Sequence, residues 1–307
     1  MSATYAHITF VKKISDATIL TNKGINITAI ESICDYPEYC ELGAISPDYP
    51  ALVIIVPEQE EWTNKMHEGN TGDIVKSGIK YIKSNLMNNK NIKIWLSWLF
   101  GYVSHVVADT TIHPIVNKIV GSYNLNQAEH RRCEMHQDRF IFNNEMIKGS
   151  IDKAAFFKSG IGTCDINEVT EIWDQMLKQA HLDYYSKVKP DFHFWHTIFK
   201  KAIDDFSEKV SEIPFVRIYA DEKGLTFPPI KKIKPKYIEN LEVPTGNFLN
   251  YEQIANNAKT NILNIWKNMS DSIFTDNYDI ETLISNWNMM TGLNEKNESV
   301  FWVNQNE

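Results

Sequence analysis

The chain has 307 residues, of which 43% are hydrophobic, so it has enough apolar material for a large core. Its formal net charge of −8 argues against a general nucleic-acid binder, because such proteins are normally basic, and we expect no stable nucleic-acid partner. The longest apolar runs, near 51–56 and 92–107, are short or contain polar residues, so no membrane span is expected.

The first residues lack the basic and apolar stretches of a secretory signal peptide. We therefore expect a cytoplasmic location, with export by a route that needs no cleaved leader as the alternative. The cysteines show no Cys-x2-Cys spacing, and we expect them to be core thiols rather than disulfide partners or metal ligands. They are Cys34, Cys40, Cys133 and Cys164.

Helical periodicity dominates the first two thirds of the chain. Apolar residues three or four apart from Val75 to Leu86 predict an amphipathic helix that begins near Asn70 or Thr71. An almost wholly apolar helix follows at about 91–119, where Pro114 is expected to kink or end it. Further helices are predicted at about 127–148, 166–187 and 191–211.

The last third begins with a break in this pattern. Residues 213–248 contain five prolines and little periodicity, which predicts a long ordered crossing segment or linker. Helices are predicted again at about 254–269 and 279–291. No alternation convincing for a sheet is present, so the expected fold is all-α, a multi-helix bundle. We expect a helical domain at 1–212 and a C-terminal extension at 213–307 packed on it.

The most informative pattern is a set of metal-binding side chains at four-residue steps. His105, Asp109 and His113 fall on one stripe of the apolar helix, and His130 and Glu134 on one stripe of the next helix. Imidazole and carboxylate groups at this spacing are what a zinc site needs. The pattern predicts that the two helices face each other across a metal cluster.

Chance alone does not account for the triplet. With 9 His and 39 acidic residues, one His-x3-acid pair is expected by accident, but only about 0.03 His-x3-acid-x3-His triplets. The ordinary alternative is a buried helix that happens to carry polar residues. Burying two His and one Asp on such an apolar helix costs several kcal/mol unless partners satisfy them, on the order given by polar transfer energies. The metal interpretation is therefore favoured.

Three further residues are candidates for the same cluster. They are His7 near the start, Asp48 in the turn-like Gly43-x3-Pro47-Asp48 stretch, and His67 just before a predicted helix. Each has an ordinary explanation when taken alone, since a lone His is usually a surface or packed residue and a Pro-Asp pair is usually a turn.

Together these motifs resemble the bacterial zinc-dependent phospholipase C family, which is related in fold to fungal single-strand-specific nucleases with the same trinuclear zinc core. The resemblance rests on Ala6-His7-Ile-Thr-Phe10, Gly43-x3-Pro47-Asp48, His67, Gly101-x3-His105-x3-Asp109-x3-His113-Pro114 and His130-x3-Glu134. It covers residues 1 to about 150 well and extends loosely to about 210. The ordered set of eight ligand types makes it highly specific.

The resemblance implies ligands for two zinc ions and for a third. Asp48, His67, His105 and Asp109 resemble the ligands of the first, His113, His130 and Glu134 those of the second, and His7 with a bridging Asp109 those of the third. Secreted family members complete the third site with a processed N-terminal Trp. This chain begins with Met1 and has five residues between it and His7, so the backbone of Met1 and Ser2, or water, would replace that Trp.

Such a cluster predicts a zinc metallohydrolase that acts on phosphoric esters. Zinc with an open coordination position lowers the pKa of bound water to about 7, and paired zinc ions bind phosphate oxygens. The resemblance implies phospholipase C activity, which yields diacylglycerol and a phosphorylated head group, with Asp48 as the catalytic residue that positions or deprotonates water. A nuclease or phosphomonoesterase, and a non-catalytic protein with structural zinc, are the alternatives.

Several other residues have two interpretations. Phe10, Tyr49, Trp62 and Tyr102 lie near ligands in sequence and would contact a lipid, stack on a nucleobase or simply pack in the core. The basic run Lys231-Lys-Ile-Lys-Pro-Lys236 is either a solvated loop or a transient contact to an anionic membrane. Asp138 would accept a hydrogen bond from a ligand imidazole or be a solvated helix acid. His136 points away from the ligand stripe and is expected to be structural.

Overall fold

The computed structural model of the protein describes residues 4–87, 90–145, 157, 159–205, 226–275, 281 and 284–303. Within these ranges the protein is built from helices joined by short connections, with one two-stranded hairpin. The all-α prediction is confirmed. None of the helices described is both long enough and apolar enough to cross a membrane.

The N-terminal part consists of six helices around a 3-10 turn. They are α1 (Thr4–Ile14), α2 (Ala17–Lys23), α3 (Ile27–Asp35), α4 (Pro37–Ile45), α5 (Pro57–Glu68) and α6 (Thr71–Asn85), with the turn at Ser46–Leu52 after α4. Local chemistry sets several boundaries. Asp16 accepts hydrogen bonds from the first amides of α2, and proline occupies the first turn of α4 and of α5. The predicted start of α6 after Asn70 is confirmed.

The remaining helices are α7 (Ile92–Val120), α8 (Gln127–Glu145), α9 (Asn167–Ala180), α10 (Leu182–Tyr185), α11 (Phe192–Asp205) and α12 (Tyr251–Phe274). The single helix predicted at 166–187 is in fact two, because the chain leaves the helical conformation at His181. The ends predicted for α8 at 148 and α11 at 211 lie outside the described residues.

Helix α7 is the centre of the core. Every residue from Trp95 to Val116 is buried, since α1, α3, α4, α6, α8 and α12 all pack around this helix. Pro114 lies inside α7 and does not end it. A proline cannot donate a backbone hydrogen bond, so the carbonyl of Thr110 loses its usual partner, and Gly292 of the C-terminal segment packs against that carbonyl.

Helices α4 and α7 touch backbone to backbone. A Cβ atom on Gly43 would lie 2.0 Å from the carbonyl oxygen of Trp98, and one on Gly101 would lie 2.0 Å from that of Cys40. No side chain fits at such distances, so this crossing requires glycine on both helices.

The described part of the C-terminal third contains a hairpin, a long helix and an irregular segment. Strands β1 (Leu241–Glu242) and β2 (Phe248–Leu249) are antiparallel, with Leu241 opposite Leu249, and α12 packs on α7. The helix predicted at 279–291 is wrong over 284–291, which is irregular. The backbone groups there bond elsewhere: Trp287 O accepts from Thr71 Oγ1 at 2.6 Å and Met289 N donates to His67 O at 2.8 Å. The domain boundary predicted at 212/213 lies outside the described residues.

Candidate metal centre

All eight candidate ligands are buried and lie at one place in the fold. They come from α1 (His7), the 3-10 turn (Asp48), α5 (His67), α7 (His105, Asp109 and His113) and α8 (His130 and Glu134). Their donor atoms form three groups in which all atoms lie within 4.8 Å of one another. The groups are Asp48, His67 and His105, here triad A; His113, His130 and Glu134, here triad B; and His7, His105 and Asp109.

Triad A is formed by the 3-10 turn, α5 and α7. His67 Nε2 lies 3.3 Å from Asp48 Oδ1 and 3.3 Å from His105 Nε2. Triad B is formed by the end of the α7 stripe and the start of α8. Glu134 Oε1 lies 3.1 Å from His113 Nε2 and 3.3 Å from His130 Nε2.

Asp109 joins the two triads. Its Oδ2 lies 3.2 Å from His105 Nε2 in triad A and 3.7 Å from His113 Nε2 in triad B. Its Oδ1 lies 3.0 Å from His7 Nε2, and the His7 ring stacks on the His105 ring with centroids 4.1 Å apart. The carboxylate of Asp109 thus lies between the two groups, in the bridging position that the family resemblance implied for it.

The spacing of donor atoms fits zinc. Zn–N and Zn–O bonds of about 2.0–2.1 Å in a tetrahedral site put neighbouring ligand atoms about 3.3 Å apart. In each triad, two of the three donor pairs are 3.1–3.3 Å apart, and all donor atoms lie within 4.8 Å of one another. Two imidazole nitrogens that both present lone pairs at 3.3 Å, as His67 and His105 do when each is protonated only on Nδ1, repel unless a proton or a metal ion lies between them.

Backbone carbonyls orient three of the imidazoles. The Nδ1 groups of His105 and His67 donate to the carbonyls of Ala44 and Thr63 at 2.9 and 2.7 Å. His113 Nδ1 donates to the carbonyl of Met289 at 3.1 Å. A proton on Nδ1 leaves the lone pair on Nε2, which is the atom turned toward the acidic groups in each case.

Other buried donor atoms have no hydrogen-bond partner among the residues described. They are Nδ1 of His7, both ring nitrogens of His130 and Oε2 of Glu134. Unsatisfied polar atoms are rare in a protein interior because each costs about 1–3 kcal/mol. A metal ion beside His130 and Glu134 would satisfy two of them.

The charges also favour cation binding. Burial raises the pKa of Asp48, but when the imidazoles are protonated the charge of His105 and a hydrogen bond from His67 more than reverse this, and the pKa falls to about 2. Burial lowers the pKa of His113, whereas Asp109 and Glu134 raise it, with a net result of about 9. The carboxylates are thus anionic at neutral pH and stabilise positive charge at the imidazoles.

A family model for zinc-dependent phospholipase C matches residues 6–210, about two thirds of the chain and a range that includes all eight side chains. The chain belongs to the zinc-dependent phospholipase C family. The resemblance expected from the motifs is confirmed, and zinc is the metal that both the family and the donor set fit. A comparison with curated proteins gave no match, and a comparison with solved structures gave none either.

The least buried ligands of this phospholipase C family member belong to different triads. Asp48 and His113 have the most exposed side chains of the set, at 12% and 8%, whereas that of His105 is fully buried. The loop before α8 places Tyr123 beside His130, with ring centroids 5.1 Å apart and the rings perpendicular. Burial and the carboxylates of Glu134 and Asp48 raise the pKa of Tyr123, while Arg131 lowers it.

Other predicted residues lie outside the ligand set. His136 accepts a hydrogen bond from the amide of Lys234 and has the structural position expected of it. Within the described residues Asp138 is not hydrogen-bonded to a ligand imidazole; it accepts from the amides of Tyr5 and Ala6, and so holds α1 in place beside His7. Three cysteines are buried and Cys34 is exposed, and all four are free thiols.

The four aromatic residues near ligands are core residues. Phe10, Tyr49, Trp62 and Tyr102 are each at most 1% exposed, so none of them forms a surface for lipid or nucleobase. Sequence reasoning missed Met289 and Tyr123. Met289 orients a ligand through its backbone carbonyl, which carries no side-chain signal, whereas Tyr123 was a visible aromatic residue seven positions before His130.

Proposed function

We propose that the protein is a phospholipase C that hydrolyses the phosphodiester bond of a glycerophospholipid, with zinc held by the eight side chains described above. The observation that carries the proposal is the pair of triads joined by Asp109, in which the side chain of Asp48 is the most exposed, at 12%. Zinc bound there would acidify water and neutralise the charge of a phosphate. Family membership favours a lipid as the substrate.

The chain's own residues have separate roles in this proposal. Triad A with Asp109 would hold one ion, triad B a second, and His7 with Asp109 a third. Asp48 has the most exposed side chain of the set, and one of its oxygens contacts His67 Nε2. Its other oxygen, Oδ2, would orient the attacking water and accept its proton.

Contact with a membrane surface would bring the lipid to this site. The Lys231–Lys236 run begins beside Ile230, which is 48% exposed, and Lys236 pairs with Glu129 on α8, next to His130. The proposed contact would be transient, since only a few lysines take part. We keep the cytoplasm as the proposed location, with leaderless export as the alternative.

The test is hydrolysis by the zinc-loaded protein of phosphatidylcholine vesicles and of single-stranded DNA, assayed side by side. We expect diacylglycerol and phosphocholine from the vesicles, faster when anionic lipid is added, and loss of activity when a chelator removes zinc. Asp48→Asn at saturating zinc should lower kcat by about 10²-fold or more, the usual contribution of a general base.

Other assay results would each support one of the alternative functions. Cleavage of DNA but not of lipid would make the protein a nuclease, and activity on phosphate monoesters alone would make it a phosphomonoesterase. A protein that binds zinc but cleaves none of these substrates would have a structural metal centre. Full activity of Asp48→Asn with zinc retained would remove Asp48 from the catalytic role.

A further inference from the structure

A guanidinium group without a carboxylate partner lies beside triad B. Arg131 directly follows the ligand His130 on α8 and is partly exposed. No ion pair joins it to an acidic group in the described part of the chain, although the adjacent Arg132 pairs with Glu129. In an acidic protein with few arginines, this unneutralised charge at the edge of a metal centre calls for a physical explanation.

Tyr123 holds that guanidinium in place. Arg131 Nη2 donates a hydrogen bond to the Tyr123 hydroxyl at 2.9 Å, and the guanidinium carbon lies 5.7 Å from the centre of the same ring. The ring in turn packs perpendicular to the imidazole of His130. Arg131, Tyr123 and His130 therefore form a continuous chain of contacts from the half-exposed edge to a buried ligand.

A guanidinium has five N–H donors in a planar fork, and the Tyr123 hydroxyl occupies one of them. Such a fork matches the oxygens of a phosphate, and Arg binds phosphate in this way more often than Lys does. We infer that Arg131, positioned by Tyr123, binds the anionic phosphate of the substrate at the edge of triad B. This inference rests on the proposed function, because it assigns the residue a role toward that substrate.

The test compares Arg131→Gln with Arg132→Gln in the zinc-loaded protein. Gln keeps a donor that reaches toward the Tyr123 hydroxyl but removes the charge, and Arg132 is a matched control whose guanidinium is already paired. Three quantities are measured: zinc content, the Kd of inorganic phosphate by calorimetry, and KM and kcat for a chromogenic phosphodiester.

We expect Arg131→Gln to raise the phosphate Kd and the KM by about tenfold, the effect of losing one charge-assisted hydrogen bond, with zinc content unchanged. Arg131→Lys should restore part of the loss. Tyr123→Phe, which keeps the ring on His130, should raise KM severalfold and change kcat less. Arg132→Gln should behave like the unchanged protein.

Two results would overturn the inference. One is a phosphate Kd in Arg131→Gln equal to that in Arg132→Gln, and the other is selective loss of zinc from Arg131→Gln, which would make Arg131 a support for His130 only. If the unchanged protein binds phosphate but hydrolyses no substrate, the proposed function fails, while the Kd comparison still decides whether Arg131 binds phosphate.

Discussion

Triads A and B use the same ligand types but are supported differently. In triad A both imidazoles donate to carbonyls of regular helices, His105 to Ala44 in α4 and His67 to Thr63 in α5. In triad B the only such support is the carbonyl of Met289, in an irregular segment about 180 residues later in the chain, and His130 has no hydrogen-bond partner among the described residues.

The two triads therefore differ in how firmly their imidazoles are held in position before a metal binds. Imidazoles held by a second hydrogen bond lose less freedom when they bind a metal, and removing such a bond typically costs 10- to 100-fold in metal affinity or activity. We therefore expect triad A to hold zinc more tightly than triad B.

The largest effect is expected where the two triads meet. Asp109→Asn removes the negative charge between them, and removing one partner of a buried charge pair costs about 3–5 kcal/mol, equivalent to about 10²- to 10⁴-fold in affinity. Zinc affinity should fall at both triads, as measured by chelator competition with elemental analysis. The control is Glu145→Gln at the end of α8, which breaks a half-buried ion pair with Lys259 on α12. Loss of zinc from one triad alone would show that Asp109 does not join them.

A substitution of intermediate effect should weaken zinc binding at triad B and leave triad A nearly unchanged. Gly292 has a φ of +70°, and a Cβ there would lie 2.3 Å from Pro114 Cγ and 2.7 Å from Thr110 O. Gly292→Ala should displace the Met289 turn from His113 and weaken zinc binding at triad B by about tenfold, while triad A changes little. In a chelator titration the unchanged protein should release zinc in two phases, and the variant should shift only the weaker phase.

The control for this substitution is Gly246→Ala in the hairpin. Gly246 also has a positive φ, +82°, but a Cβ there would meet no atom within 4 Å. It therefore carries the backbone strain without the collision. Equal shifts of the weaker zinc phase in both variants would mean that strain, and not the Met289 contact, determines the affinity of triad B.

The smallest effect concerns a histidine that neither triad contains. Burial, Lys234 and Arg132 lower the pKa of His136 to about 4 although Glu129 opposes them. Between pH 6.5 and 4 the unfolded chain binds a proton at this residue that the folded chain does not. Its contribution to the free energy of unfolding is thus complete above pH 6.5 and declines as the pH falls toward 4, by on the order of 1 kcal/mol after solvent screening.

His136→Gln should remove this part of the pH dependence. The free energy of unfolding of both proteins is measured with denaturant at pH 7 and at pH 5. Subtracting the change in the variant from the change in the unchanged protein cancels the effect of zinc loss at the triads. An identical decline in the two proteins would show that His136 does not titrate differently in the folded state, and that the pH dependence arises at the metal ligands.

The parts of the site on regular helices could be predicted from the sequence. His105, Asp109 and His113 share one face because the helix repeats every 3.6 residues, and their burial follows from the apolar residues around them. The start of α6 after Asn70 was predicted for a similar local reason. The position of Asp109 between the two triads depends on the packing of α8 against α7, and local periodicity does not encode that packing.

The irregular segment could not be predicted in the same way. Ile284 and Trp287 have helical spacing, but the Trp287 carbonyl and the Asn286 side chain accept hydrogen bonds from α6, and the Met289 amide donates to the His67 carbonyl. These are long-range contacts, and they outweighed the local preference. Met289 acts through a carbonyl oxygen that every residue has, so no residue type marked it.

The backbone contact of α4 with α7 at Gly43 and Gly101 limits how far the nearby metal ligands can shift relative to one another. Ala44 and the turn that carries Asp48 directly follow Gly43, and His105 lies one helical turn after Gly101. The positions of Asp48 and His105 are thus both set by the place where the backbones of α4 and α7 touch, with no flexible side chain between the two helices there. Zinc tolerates deviations of only about 0.2 Å in its bond lengths. A methyl group at either glycine, although neither is a metal ligand, would misalign Asp48 relative to His105.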